Sequence, residues 1–338
     1  MLRTNVKQIL LISAGVLTLL LLSVSILLFA EKDGSALDQA TLLSQDQGSL
    51  RILVAGTDRA SGLADVLMLV SVDRDTGEVC ILQLPRDTYG QYTDRSYRKL
   101  NGICRTLGSM EKAKDFLSRS MGISIDRYVL LSPDAFRSAV DAVGGVELTL
   151  TEPMDYNDPA QGLSIHLPAG RQTLDGKAAE YFVRYRSDYV RGDLGRMDAQ
   201  KQFLAALLGK VRETMSVLTL GKLAVTMLDE VETDLSVSEV MTLAGAVFSS
   251  TAEKVLFVTA PGTDVIGENS GASYYVLSKP SMEKLLQDYF DGQAGAFDPQ
   301  GLFCYPSAVF QKAYGKEVPY EAISAETVAK NGIEIPRT

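Results

Sequence analysis

Between Tyr181 and Phe203 the chain reads YFVRYRSDYVRGDLGRMDAQKQF, crowding Arg184, Arg186, Arg191 and Arg196 against Asp188, Asp193 and Asp198. From Gly192 the apolar spacing turns helical, so Asp193, Arg196 and Gln200 fall at i, i+3 and i+7 on one face. The free amides and dipole of a helix N-terminus favour anions. Arg184, Arg186 and Arg196 add planar forks that match phosphate oxygens. A bound phosphate or pyrophosphate is one reading of this segment; a solvated face of surface ion pairs ahead of an amphipathic helix is the other. Elsewhere, Val54-Ala55-Gly56-Thr57-Asp58 ends an apolar run in an aspartate, and Leu63-Ala64-Asp65 places a second just before the next run. Two carboxylates at adjacent strand ends can hold one magnesium ion, which takes one or two carboxylates plus phosphate oxygens and waters. As isolated loop residues they would serve turns instead. In Leu84-Pro85-Arg86-Asp87-Thr88 a third apolar run ends in an arginine and an aspartate, with the proline keeping the entry extended.

Composition narrows the partners. The chain holds 33 basic and 42 acidic residues, a formal net charge of −9. Nucleic acid is excluded as a partner on that balance, because non-specific affinity rests on cationic neutralisation of phosphates. The arginines are a local positive site on an acidic body, suited to a ligand with a few phosphates. The single histidine, His166 in LSIHLPAG, reads as a strand residue without a catalytic partner, which removes histidine triads and histidine-rich metal sites. Cys80, Cys104 and Cys304 are too few and scattered for a disulfide framework or a zinc site. Buried thiols are expected, a Cys80 to Cys104 bridge being the alternative.

The elements that must hold these side chains alternate in type. Arg51–Ala55, Val66–Val72 and Glu78–Leu84 are short β-branched runs, the last two joined by the turn Asp75-Thr76-Gly77. Met110–Met121 has helical spacing and Arg127–Leu131 reads as a strand. Ser132-Pro133-Asp134 opens a helix with a serine cap and a proline in its first turn; it stops at Gly144-Gly145, before the strand VELTLT. Ile165 to Gly176 contains the Pro-Ala-Gly turn of a hairpin, and Asp175 caps a helix through Phe182. A helix around Ser236–Ser249, the strand Lys254–Thr259 and a helix around Ser281–Tyr289 follow. Such interleaving without repeats predicts one α/β domain, a mixed central sheet covered by helices on both faces. Ahead of it, residues 9–30 are 22 consecutive uncharged residues, about 33 Å as a helix, enough to cross a bilayer. Arg3 and Lys7 precede this anchor, so residues 1–8 are expected in the cytoplasm and the domain outside a single-pass membrane protein. Residues 31–49 read as a linker, 50–290 as the domain, and 291–338, with Pro299, Pro306, Pro319 and Pro336, as an extension without an assigned role.

In this order the segments resemble the LytR-CpsA-Psr family of membrane-anchored cell-wall ligases. The resemblance is carried by Gly56-Thr57-Asp58, Asp65, Pro85-Arg86-Asp87-Thr88, Lys99-Leu100-Asn101, Asp126-Arg127-Tyr128, Gly144-Gly145-Val146-Glu147 and Tyr181 to Gln200, and runs from about Arg51 to Tyr289. It implies an α/β/α sandwich with a hydrophobic tunnel for a lipid. It also implies a phosphotransferase that moves a glycopolymer from a polyprenyl-pyrophosphate carrier to peptidoglycan, forming a phosphodiester. The polymer would be wall teichoic acid, capsular polysaccharide or another secondary wall polymer, and a glycosylated protein is an alternative acceptor. By the same resemblance Asp58 and Asp65 bind Mg2+, Arg86, Arg184, Arg186 and Arg196 hold the pyrophosphate, and Gln200 contacts a phosphate or the arginines. Arg86, Asp87, Asp193 and Arg196 form the catalytic set, with Asp87 and Asp193 both candidates for the base. One departure stands out: relatives carry a longer loop between the two aspartates and an arginine where Leu63 stands here. Arg59 or Arg191 are the candidates to replace it, a less enclosed pyrophosphate being the alternative. Other readings are a non-catalytic polyprenyl-pyrophosphate-binding module, a pyrophosphatase, or a transcriptional attenuator, the last opposed by the topology and the negative charge.

Overall fold

The computed structural model describes residues 48–57, 62–94, 98–158, 163–214, 231–236, 239, 243, 250–268, 270–298, 301–302, 304, 310–332, 335 and 337. The expected anchor, Asp58 and Arg59 lie outside the described residues. Among the described residues no helix is long and apolar enough to cross a membrane.

Strands β1 (Ser49–Thr57), β2 (Ala64–Asp73) and β3 (Val79–Gln83) form an antiparallel meander. Its second turn is closed by Asp73, whose carboxylate accepts the amides of Asp75 and Thr76. Helices α1 (Ile103–Leu107) and α2 (Met110–Met121) lead to β4 (Arg127–Leu131), which runs parallel to β1, and to α3 (Pro133–Ala142). The caps are the expected ones: Ser132 accepts the amide of Ala135 at 3.1 Å, and Asp175 that of Ala178 at 2.8 Å. Next come β5 (Val146–Leu150), β6 (Met154–Asp158), β7 (Leu163–Leu167), β8 (Gly170–Leu174), α4 (Gly176–Arg184) and α5 (Asp193–Thr214). The remaining elements are β9 (Glu232–Thr233), β10 (Val255–Thr259), β11 (Gly262–Gly267), β12 (Ser273–Leu277), α6 (Lys279–Tyr289), β13 (Phe310–Ala313), β14 (Ala322–Ser324) and α7 (Ala325–Asn331). Of the helix expected around Ser236–Ser249, only Ser236, Glu239 and Leu243 are among the described residues, Glu239 and Leu243 being helical.

The main sheet is mixed and seven-stranded, ordered β14-β10-β3-β2-β1-β4-β9, and a separate three-stranded sheet is ordered β12-β11-β13. Successive strand residues face opposite sides, and a strand covered on both sides reads as a continuous apolar run. That is why β1 shows no polar alternation. Ile52 and Val54 join Phe136, Phe182 and Phe203 from α3, α4 and α5 on one face. Leu53 and Ala55 join Ile103, Leu117 and Leu285 from α1, α2 and α6 on the other.

One expectation is corrected, and the thiols stay free as expected. The Pro-Ala-Gly turn does not close a hairpin: β7 pairs with β6, and β8 pairs with β5. Turn residues mark a change of direction, whereas the partner is set by burial: Met154, Ile165 and Leu167 from one ribbon, and Val146, Leu150 and Leu174 from the other, enter the same core. The alternative Cys80 to Cys104 bridge is not formed, and all three cysteines are free. Residues past Asp291, where the sequence pattern fades, are built into the domain. β13 pairs with β11, β14 adds an edge strand to β10, and Asp291 pairs with Arg51.

Two of the family-like segments are scaffold. The Asp126 carboxylate accepts the amide of Arg51 at 2.8 Å, at the start of β1 and so at the far end of that strand from Asp65. Gly145 has φ +81°, and a Cβ there would lie 2.7 Å from Thr173 Cγ2 and 2.9 Å from the Leu174 carbonyl oxygen. Gly145→Ala is therefore expected to lower stability by about 2 kcal/mol or more, combining left-handed strain with overpacking. The check is a fall in the urea midpoint at unchanged slope.

Candidate active site

The site begins with an irregularity between β1 and β2. Gly56 faces Val66 but Thr57 faces Ala64, which leaves Asp65 without a cross-strand partner. An extra residue of this kind bends its strand and re-aims a side chain. Here Asp65 Oδ1 accepts a hydrogen bond from Arg86 Nη1 at 2.6 Å. Arg86 follows β3 in a turn closed by the Thr88 amide (2.9 Å) and hydroxyl (2.7 Å), both donating to the Pro85 carbonyl. Thr88 is fully buried. On one side the Asn101 amide donates to the Arg86 carbonyl at 3.0 Å and the Leu100 amide to that of Thr88 at 2.9 Å; on the other, the Tyr275 amide donates to the Asp87 carbonyl at 2.9 Å. The Lys99-Leu100-Asn101 segment thus splints the turn, and Lys99 Nζ pairs with Asp87 Oδ1 at 3.0 Å.

Helix α5 supplies the other half. Asp193 opens it and Arg196, buried, stands one turn later. Asp193 Oδ1 lies 2.6 Å from Arg196 Nη2 and 3.3 Å from Arg86 Nε. Arg196 Nη2 donates to the Asp65 carbonyl at 3.0 Å, and Nη1 is 4.0 Å from Asp65 Oδ1. Two carboxylates and two guanidiniums from three elements therefore close a ring. Burial works against the charge on Arg86, but Asp193, Asp65 and Asp87 outweigh it and hold the guanidinium pKa above its ordinary value. The ring is not saturated: Asp193 Oδ1 and Arg86 Nε are within ion-pair distance of each other, but Asp193 Oδ2 and Arg196 Nε are buried without a hydrogen-bond partner. Buried polar atoms in that condition call for a further partner such as an ion.

Of the two aspartates expected to hold a metal ion only Asp65 is described, and its carboxylate, a donor of oxygens alone, fits a hard divalent cation. Among the described residues no group of three or more acidic, histidine or cysteine side chains forms a metal cluster.

The other expected residues are placed differently. Gln200 is buried between elements, donating to the Val183 carbonyl at 3.1 Å and accepting from Gln83 Nε2 at 3.4 Å, so it braces α5 against α4 and β3. Arg184 Nη1 donates to Glu180 Oε1 at 2.9 Å, and Arg137 holds the other oxygen of that fully buried carboxylate. Arg186 is exposed, and Arg191 pairs with Asp198 at 3.5 Å. His166 does have partners: Nδ1 lies 2.8 Å from Asp155 Oδ1 and Nε2 lies 3.0 Å from Ser164 Oγ. Strand register puts Asp155 opposite His166, and the i, i+2 spacing brings in Ser164. Both His166 and Asp155 are mostly exposed, so water screens the arrangement.

Two residues near the ring carry no local sequence signal. Lys201 is buried, with Nζ 2.7 Å from Thr259 Oγ1 and 2.8 Å from Asp198 Oδ1. Asp264 on β11 is partly buried, and only the pairing of β11 with β12 brings it here.

The sequence model of the LytR_cpsA_psr family matches residues 28–290. The chain is 29% identical over 209 residues to the polyisoprenyl-teichoic acid–peptidoglycan teichoic acid transferase TagU of Oceanobacillus iheyensis, covering 60% of this chain and 63% of that one. It is 27% identical over 244 residues to the transferase of the same description, TagV, of Bacillus subtilis, covering 70% and 62%. The crystal structure of B. subtilis TagV aligns with a TM-score of 0.62 at 26% identity, over 74% of this chain and 100% of that one. The chain spans about three-fifths of the length of these curated relatives.

Proposed function

The chain belongs to the LytR-CpsA-Psr family, and from that membership we propose that it is a magnesium-dependent phosphotransferase. It moves a glycopolymer from a polyprenyl-pyrophosphate carrier to peptidoglycan, forms a phosphodiester and releases polyprenyl phosphate. Residues 9–30 anchor it in the membrane, with the domain on the outer side. The observation that carries this reading is the unsaturated ring of Asp65, Arg86, Asp193 and Arg196. Phosphoryl transfer asks little covalent work of a protein, so catalysis rests on positioned charge around the transferring group. Arg86 and Arg196 are donors fixed in advance, so they need no reorganisation as charge builds on the phosphoryl oxygens. Asp193 lies against both guanidiniums and sets their orientation. Asp58 and Asp65 would hold the magnesium ion, which neutralises pyrophosphate oxygens when bound. The two transferase relatives, named for polyisoprenyl-linked teichoic acid and peptidoglycan, support a lipid-linked polymer as donor and peptidoglycan as acceptor.

The test uses the full-length protein in detergent. Mass spectrometry of lipid retained through purification is expected to find polyprenyl pyrophosphate, bare or carrying sugar. With a lipid-linked polymer and peptidoglycan, transfer to the glycan is expected to exceed transfer to water. Retention of no such lipid together with hydrolysis alone would replace this reading with a pyrophosphatase.

A further inference from the structure

We propose that Asp264 on β11 accepts the proton from the acceptor hydroxyl, an assignment that rests on the phosphotransferase reading above. Attack by a hydroxyl needs a proton acceptor, and the carboxylates nearest the arginines are committed elsewhere. Asp193 lies 2.6 Å from Arg196 Nη2 and 3.3 Å from Arg86 Nε, and Asp87 lies 3.0 Å from Lys99 Nζ. Protonating either one would undo an ion pair on which the geometry depends.

Asp264 is placed differently. It is the cross-strand partner of Tyr275 in the β11–β12 pair, so the two side chains leave the same face of that sheet. The Tyr275 ring packs in the cluster that contains Leu194 and Met197 from the first turns of α5. Asp87 and Asp193 both stand near enough to act on the charge of Asp264. Tyr275 also exchanges backbone bonds with the arginine turn, donating to the Asp87 carbonyl at 2.9 Å and accepting from the Tyr89 amide at 2.8 Å. Asp264 therefore lies one strand away from the turn that carries Arg86. Its position is fixed by the Tyr314 amide, 3.1 Å from its carbonyl, and by Gly315, where a Cβ would lie 2.9 Å from Asp264 Oδ2. Among the described residues no cation stands within ion-pair distance of its carboxylate, in contrast to Asp87 and Asp193. Burial first, then the charges of Asp87 and Asp193, push its pKa up against the opposing pull of Arg191 and Lys99. A base is most effective when its pKa approaches the working pH.

In the step assigned to it, the acceptor O–H bond breaks and its oxygen forms a bond to the sugar-linked phosphorus of the carrier. The bond from that phosphorus to the bridging oxygen breaks, and polyprenyl phosphate leaves with the electron pair. The proton passes to the Asp264 carboxylate and then to water.

The isosteric variant Asp264→Asn tests this in full-length protein with a polyprenyl-pyrophosphate-linked polymer and peptidoglycan, over a range of pH. Parental transfer is expected to fall as pH drops through the raised pKa. Asp264→Asn is expected to lose about 10²- to 10⁴-fold in kcat, to keep its KM for the donor, and to show a residual rate without the acid limb. Asp264→Glu is expected to recover part of the rate. Three outcomes overturn the assignment alone: Asp264→Asn transfers at the parental rate, it keeps the parental pH profile at a lower rate, or it loses donor binding in step with kcat. A parental protein that binds the donor yet transfers nothing to peptidoglycan at any pH overturns the phosphotransferase reading as well.

Discussion

Arg196→Ala is expected to reduce transfer by about 10³-fold or more, the range in which a single arginine acts on a transferring phosphoryl group. It should also destabilise the domain by about 3 kcal/mol, because removing one partner strands the other charge of a poorly solvated pair. The reason is positional. Arg196 is buried and touches both carboxylates of the ring, Asp193 through Nη2 and Asp65 through its carbonyl and carboxylate. Its loss leaves Asp193 with only the longer contact to Arg86. The two effects separate in a double variant: Asp193→Asn added to Arg196→Ala removes the stranded charge and is expected to restore part of the stability and none of the transfer. Urea unfolding and single-turnover transfer, run on Arg196→Ala, Asp193→Asn and the double variant, provide the cycle. Parental transfer by Arg196→Ala would show that the ring is not the site.

Glu180→Ala is expected to cost about 3 to 5 kcal/mol, a large share of the roughly 5 to 15 kcal/mol that holds a domain folded. Glu180 has no exposed surface and binds Arg137 through one oxygen and Arg184 through the other. Its removal leaves two guanidiniums facing each other at the contact of α3 with α4. Thermal or urea unfolding reads the effect directly. An unchanged stability of Glu180→Ala would mean that Arg137 and Arg184 do not depend on this carboxylate.

The Arg184 case shows what the sequence can and cannot reveal. Arg184, Arg186, Arg191 and Arg196 look equivalent in a string of residues, yet they divide by the direction in which each leaves the backbone. Arg196 belongs to the face of α5 turned toward β2, whereas Arg184, in the last turn of α4, points back four residues to Glu180. Local signals were reliable where the physics is local. The meander of β1 to β3, the span Met110–Met121 and the caps at Ser132 and Asp175 all stand where pattern and cap chemistry place them. The aspartate at position 65 was legible as a residue but not as a geometry, since the slip that turns it toward Arg86 is a property of two paired strands. Asp264 was invisible because neither β11 nor β12 announces itself by alternation, and its neighbours at the site come from α5 and from the turn after β3. The false hairpin at Pro168-Ala169-Gly170 has the same origin, a local turn whose flanking strands find distant partners.

The outer strand of the main sheet has a consequence for how the protein is made. β14 covers the free side of β10, and α7 follows it directly. A growing chain presents Val255–Thr259 well before residues 322–324 exist to cover it, and an uncovered strand edge is a template for pairing with any other chain. Both parallel contacts of the sheet, β1 with β4 and β3 with β10, also join residues distant in sequence, and such pairings form slowly. Between synthesis of β10 and arrival of β14 the domain therefore has an uncovered strand edge. A nascent chain that stalls within that interval carries its own adhesive edge to its neighbours.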